Sequence, residues 1–253
     1  MLRKAIIYSE ELGRMVRNES MAELGVSSWI RIKEAIQEKR VEDAFDLVDY
    51  LLPEGKRLHD LMCDWIYTTL DFISKKMGEE ALYDALRYAG EVIRRPYIHH
   101  IEKLSVEKRI YLQAEGMRAH RSGPGELGNI EITEERDRYV LSFDPCGSGG
   151  RMRRTGQLDK LPPRTDPPFN LGSTSKPYPW SWGKTGVPYY CLHCCIWSEI
   201  LPIEWIGYPI RITEYSDDPE KPCRFLFYKD PALIPEYYFD RIGQNKKIRS
   251  SKT

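Results

Sequence analysis

Four of the six cysteines of this 253-residue chain fall between residues 144 and 204, together with one histidine and several arginines. Three of them, Cys191, Cys194 and Cys195, sit within five residues beside His193. On a helix, positions i, i+3 and i+4 share one face, so these three thiols would point the same way. Cys146 stands in the turn sequence Asp144-Pro145-Cys146-Gly147-Ser148-Gly149-Gly150, and Cys223 lies further on. Glycines in such a corner let backbone N–H groups approach a developing negative charge. Three roles are open to this set. The first is a metal, with Cys146, Cys191, Cys194, Cys195 and the helix-spaced pair His59/Cys63 as candidate ligands and zinc as the metal such thiolates select. The second is thiol catalysis, with Cys146 or Cys194 as nucleophile, His193 as its base, and Glu199 or Glu204 for acid/base work. The third is burial alone, common for free cysteine; Cys63 and His59 fit it as plain core and half-buried residues.

Residues that could hold a substrate flank the thiols. Arg151, Arg153 and Arg154 suit a bidentate grip on a carboxylate, or read equally as a solvated run. Trp180, Trp182 and Tyr190 belong to an aromatic, proline-rich stretch that could wall a pocket. Gly147, Gly149 and Gly150 suggest a phosphate loop only superficially: no Lys-Ser/Thr follows, and Arg151 to Arg154 do not open a helix convincingly. His99 and His100 read as a helix-end or surface pair.

The elements that must position these groups divide in two. Residues 27 to 120 carry helical periodicity, beginning at a Ser27 or Ser28 cap. Segments 41–52 and 54–77 read as separate helices broken at Pro53, the second with an apolar face of Leu58, Leu61, Met62, Trp65, Ile66, Leu70 and Ile73. Helices over 79–94 and 105–120 follow, and Ser122-Gly123-Pro124-Gly125 marks a boundary. Alternating segments 129–133/138–143 and 208–215/223–228 predict two hairpins, with a helix over 189–201 between them, closed by Pro202. The expected fold is α+β: an N-terminal helical bundle (1–122) packed on a small antiparallel β-β-α-β-β sheet (123–240), with a basic tail (241–253). The loop 151–188 is long, and its aromatics predict order, as a lid, a pocket wall or a packing arm.

Composition narrows the classes. Acidic and basic residues balance at 38 each, which argues against a nucleic-acid binder. No apolar run approaches a membrane span and no secretory signal is evident, so a cytoplasmic protein with reduced thiols is expected. The helical half has enough apolar surface for a homo-oligomer or for its own core.

The order of elements from Leu58 to Tyr228 resembles the L-2-amino-thiazoline-4-carboxylate hydrolase-like family. The likeness rests on His59-Asp60-x3-Asp64, Gly78-Glu79-Glu80-Ala81-Leu82, a hairpin, a lone Cys in a turn, a Cys-bearing helix and Cys223-Arg224-Phe225. The long aromatic loop and the adjacent Cys194-Cys195 depart from that family's simpler pattern. The resemblance implies hydrolysis or related C–N or C–S chemistry on a small carboxylate. The expectation is therefore a hydrolase or lyase for a small carboxylate, aromatic or heterocyclic candidates first, using a Cys/His site with room for zinc. The alternative is a non-catalytic ligand-binding or sensor domain with a structural metal or redox-active thiols.

Overall fold

The computed structural model describes residues 4–247. Contacts divide the chain into two compact units, Met1–Leu61 and Met62–Thr253. The divide falls inside the helical region rather than at its end near residue 122, because the last long helix is packed on the sheet that follows it.

The first unit opens with a hairpin that periodicity did not reveal, β1 (Ile6–Ser9) and β2 (Arg14–Arg17), joined in antiparallel register. Helix α1 (Ser28–Gln37) starts at Ser27, whose hydroxyl accepts from the Trp29 N–H, satisfying one of the unpaired donors of the first turn. Ile6, Ile32, Ala35, Ala44 and Leu47 form this unit's core.

Helix α2 (Val41–Met77) is one helix of 37 residues with Pro53 inside it, not two. Proline removes one N–H and normally breaks the ladder; strong helix formers on both sides carry the helix through. The buried face also differs from the expected one. Cys63, Tyr67 and Leu70 go inward while Leu58, Leu61 and Trp65 stay exposed.

In the second unit, α3 (Glu80–Ile93), α4 (Arg95–Glu102) and α5 (Val106–Ala119) follow, the last capped by the Ser105 hydroxyl. Strands β3 (Glu131–Glu134), β4 (Arg138–Ser142), β5 (Ile212–Glu214) and β6 (Arg224–Tyr228) make one antiparallel sheet in the order β3-β4-β6-β5. The two expected hairpins are thus joined edge to edge through the β4·β6 pair. Strand periodicity sorts the residues onto two faces. Leu141, Phe225 and Phe227 meet Val106, Ile110, Ala114 and Met117 of α5. Val140, Leu226 and Tyr228 join the larger core.

That larger core includes a helical run built in three pieces: α7 (Leu192–Cys195), a π-turn over Ile196–Ile200, and α8 (Leu201–Ile206). The helix does not end at Pro202. Proline in a helix's first turn needs no N–H partner, so α8 starts there and ends at Gly207, which has φ 88°. A short helix α6 (Gly149–Met152) also forms after the glycine-rich turn, where none was expected.

The loop 151–188 is ordered by ion pairs. Arg151 and Arg164 are each about 1% exposed, and both reach Asp64 and Asp159. Nor is the segment after 240 simply a tail. Arg241 pairs with Glu199, Ile242 is buried, helix α9 (Tyr237–Asp240) precedes them, and Lys246 donates to the Ala232 and Ile234 carbonyls. The remainder of the expected tail, 248–253, lies outside the described residues. Among the described residues no helix is long and apolar enough to cross a membrane.

Candidate active site

One cavity of about 260 Å³ brings together α5, the 146–150 turn, α7 and the β5–β6 hairpin. That is near the lower end of small-molecule sites, ~300–1,000 Å³. Cys146 and Cys194, from the two arms of the sequence constellation, both line it, as do Cys191, His193 and Cys223. Phe143, Phe225 and Phe227 supply an apolar side, and Trp182, stacked on Tyr215 at 5.1 Å, supplies another.

Cys194 and His193 form a connected pair. The ring Nδ1 of His193 lies 2.5 Å from the Tyr190 carbonyl oxygen. A carbonyl only accepts, so Nδ1 carries the proton and Nε2 keeps its lone pair. That Nε2 is 3.5 Å from the Cys194 sulfur, placed to accept the S–H. On its other side the sulfur accepts from Arg211 Nη2 at 3.4 Å. Burial, reinforced by Arg211 and Arg94, pushes the His193 pKa down to about 4, so the imidazole is neutral at physiological pH. Burial pushes the Cys194 thiol up, and Arg211 opposes the rise. Burial likewise raises Cys191 well above its usual range and Cys223 to about 11. Cys146 Sγ sits 3.4 Å from the Ser148 hydroxyl. The π-turn begins two residues after Cys194; such turns are rare and recur at functional sites. Trp182, at φ 55°, adds a left-handed residue that is unusual for a bulky side chain.

Charge is the cavity's strongest feature. Its wall holds four arginines, Arg94, Arg109, Arg153 and Arg211, and no Asp, Glu or Lys. Among the described residues none of the four makes an ion pair. Arg153 donates to the Ser216 and Asp217 carbonyls and lies over Tyr215. Arg94 lies over Trp197. Arg211 is only 9% exposed. It donates to Gln113, stacks 3.6 Å from the Phe225 ring centroid, and leaves its Nε without a partner. Among the described residues the other three buried arginines, Arg17, Arg151 and Arg164, all face carboxylates.

Several expected site residues are elsewhere. Glu199, 0% exposed, accepts from Trp182 Nε1, the Thr213 N–H and Arg241; it is a core ion pair and does not reach the cavity wall. Arg151 is tied to Asp64 and Asp159, and Arg154 to Asp144, so of the three expected carboxylate anchors only Arg153 lines the cavity. Trp180 stacks on Tyr178 in the core, and only Trp182 and Tyr190 of the aromatic set reach the cavity. Cys195 is buried, its thiol 3.7 Å from the Pro179 carbonyl, because successive residues of a helix point about 100° apart and Cys195 faces the core rather than the cavity. His59 belongs to the first unit, its Nδ1 2.9 Å from Asp60, and Cys63 Sγ meets the Tyr190 hydroxyl at 3.3 Å. Glu204 pairs with Arg87. Among the described residues no three His, Cys, Asp or Glu side chains are arranged to hold a metal ion. Of the expected zinc ligands, Cys146, Cys191 and Cys194 line the cavity, whereas Cys195 does not and His59 belongs to the first unit.

Arg94, Arg109 and Arg211 were not singled out by sequence. The one signal for Arg211 is its place between Ile210 and Ile212, a charged residue between apolar ones in the segment expected as a strand.

Searches against family models, curated proteins and solved structures return no match for this chain.

Proposed function

We propose that the cavity binds a small organic carboxylate and acts on it through Cys194, as a hydrolase or lyase. The observation that carries the reading is Arg211: a buried guanidinium that makes no ion pair among the described residues, donating to a thiol that also meets a neutral imidazole. Burying a charge without a counter-ion costs several kcal/mol. A site retains such a charge when a ligand supplies the counter-ion.

In the proposed reaction the ligand's carboxylate rests on Arg211, which places its neighbouring carbons beside Sγ. Sγ bonds to an electrophilic carbon there, and the thiol proton passes to Nε2 of His193. The π electron pair of the attacked C=X bond moves onto X, facing the arginines. The pair on X then re-forms C=X as the bond from that carbon to the leaving group breaks, and His193 gives the leaving group the proton. Water, losing a proton to His193, adds to the same carbon, the C–S bond breaks, and His193 returns the proton to the Cys194 sulfur. The resemblance to the thiazoline-carboxylate hydrolase-like family supports the same substrate class.

A second reading, a ligand-binding or sensor domain without turnover, draws support from the thiols themselves. Burial holds Cys191, Cys194 and Cys223 in the neutral form, which slows a nucleophile. A panel of small carboxylates, followed by calorimetry and by product analysis, separates the two. For the enzyme, Cys194→Ala binds with unchanged affinity and loses turnover; for the sensor, no member of the panel is consumed. Failure of every carboxylate to bind, with Arg211→Gln behaving as wild type, overturns both.

A further inference from the structure

Building on the carboxylate reading, we infer that the natural ligand carries two anionic groups, one held by Arg211 and Arg94 beside Cys194, the other by Arg153 beside Cys191 and Cys223. The four arginines do not form one patch. Arg211 immediately precedes β5 and lies on Phe225, and Arg94 follows the end of α3 over Trp197. Both act electrostatically on Cys194 and His193. Arg109 belongs to the same pole, since it and Arg211 also line a second, smaller pocket together. Arg153 stands apart. It follows α6, is fixed by the Ser216 and Asp217 carbonyls, lies 4.6 Å from the Tyr215 ring centroid, and acts on Cys191 and Cys223.

A neutral chain with equal numbers of acids and bases has placed only cations around this cavity. A monoanion held at Arg211 would leave the half-buried Arg153 facing the cavity without an anion, among like charges that repel it. A ligand with an anion at each end satisfies both. It would stretch its middle past Cys146 and Cys194, with the aromatic and Phe walls covering its carbon skeleton. The chemical class is a short dicarboxylate, or a carboxylate bearing a second acidic group at its far end.

The test uses the full chain and a graded series of probes: succinate, glutarate and adipate, each beside its monoamide, titrated by calorimetry at low ionic strength. The monoamide has nearly the same shape but one charge fewer. The best-fitting dicarboxylate is expected to bind at least about tenfold more tightly than its monoamide, the value of one charge-assisted contact. Arg153→Gln should erase that preference, and Arg153→Lys, which keeps the charge, should retain most of it. A preference undiminished in Arg153→Gln overturns the inference. So does equal binding of dicarboxylate and monoamide at every length, which leaves the single-carboxylate site standing. Absence of binding by any probe overturns the two together.

Discussion

Replacing Arg211 by methionine should make the unliganded protein more stable. Arg211 is 9% exposed, has no carboxylate partner among the described residues, and leaves Nε unbonded. Its desolvation costs several kcal/mol. Against that stand the stack on Phe225, up to about 2 kcal/mol when desolvated, and the bonds to Gln113 and Cys194, net about 1 kcal/mol each. Methionine keeps most of the contact area without the charge, so the balance favours the variant by about 1–2 kcal/mol. For a chain of this size that corresponds to about 2–8 °C in melting temperature. The control is Arg164→Met. Arg164 is about 1% exposed and faces Asp64 and Asp159, so removing it takes from both carboxylates one of the two guanidiniums they share with Arg151 and lowers stability. Differential scanning calorimetry of both variants without ligand reads the contrast. If both melt lower by similar amounts, Arg211 is an ordinary structural arginine and the argument for a missing counter-ion is wrong.

His193 makes stability depend on pH. Its folded pKa, about 4, lies below the unfolded value near 6.5, so between them the unfolded chain binds more protons. The contribution is complete above about pH 6.5 and lost as pH falls towards 4, about 3 kcal/mol in all. His193→Gln should reduce the difference in urea midpoint between pH 7 and pH 4.5, and an unchanged difference would refute the burial. Glu199→Gln leaves Arg241 without its carboxylate and should cost about 3–5 kcal/mol in chemical denaturation. Carboxylate affinity of the folded variant should stay unchanged; a selective loss of turnover at normal stability would instead return Glu199 to the chemistry. Gly149→Ala would put a methyl 2.8 Å from the Cys191 sulfur, and should displace that thiol and weaken binding without unfolding the sheet, as read by circular dichroism and calorimetry.

The α+β class and the positions of most elements were legible because periodicity reports burial directly: α3, α5 and both hairpins follow from it. Periodicity reports less where context overrides local rules. Pro53 lies within α2 and Pro202 within the first turn of α8, because proline's penalty depends on whether its N–H was needed. The exposed Leu58, Leu61 and Trp65 show that an apolar face need not be the face that packs. Cys146 and Cys194 were singled out by turn chemistry and helix spacing, and both line the cavity. The helix-face argument nevertheless placed Cys195 with them, whereas the backbone sends it into the core. Arginine was the hardest residue to read. Arg151, Arg154 and Arg153 look alike in sequence, yet two are consumed by aspartates and one faces the cavity. Nothing local distinguishes them, because ion pairing depends on partners up to 87 residues away.

The central claim is that a guanidinium beside Cys194 recruits anions to that sulfur. Its most direct test is competitive alkylation with iodoacetate and iodoacetamide at low ionic strength, mapped by mass spectrometry. The account predicts that Cys194 prefers the anionic reagent relative to a free thiol in the same tube. The preference should fall in Arg211→Gln and with added salt, while buried Cys63 and Cys195 stay unmodified. A Cys194 that shows the free-thiol ratio, or a preference that survives Arg211→Gln intact, would contradict it.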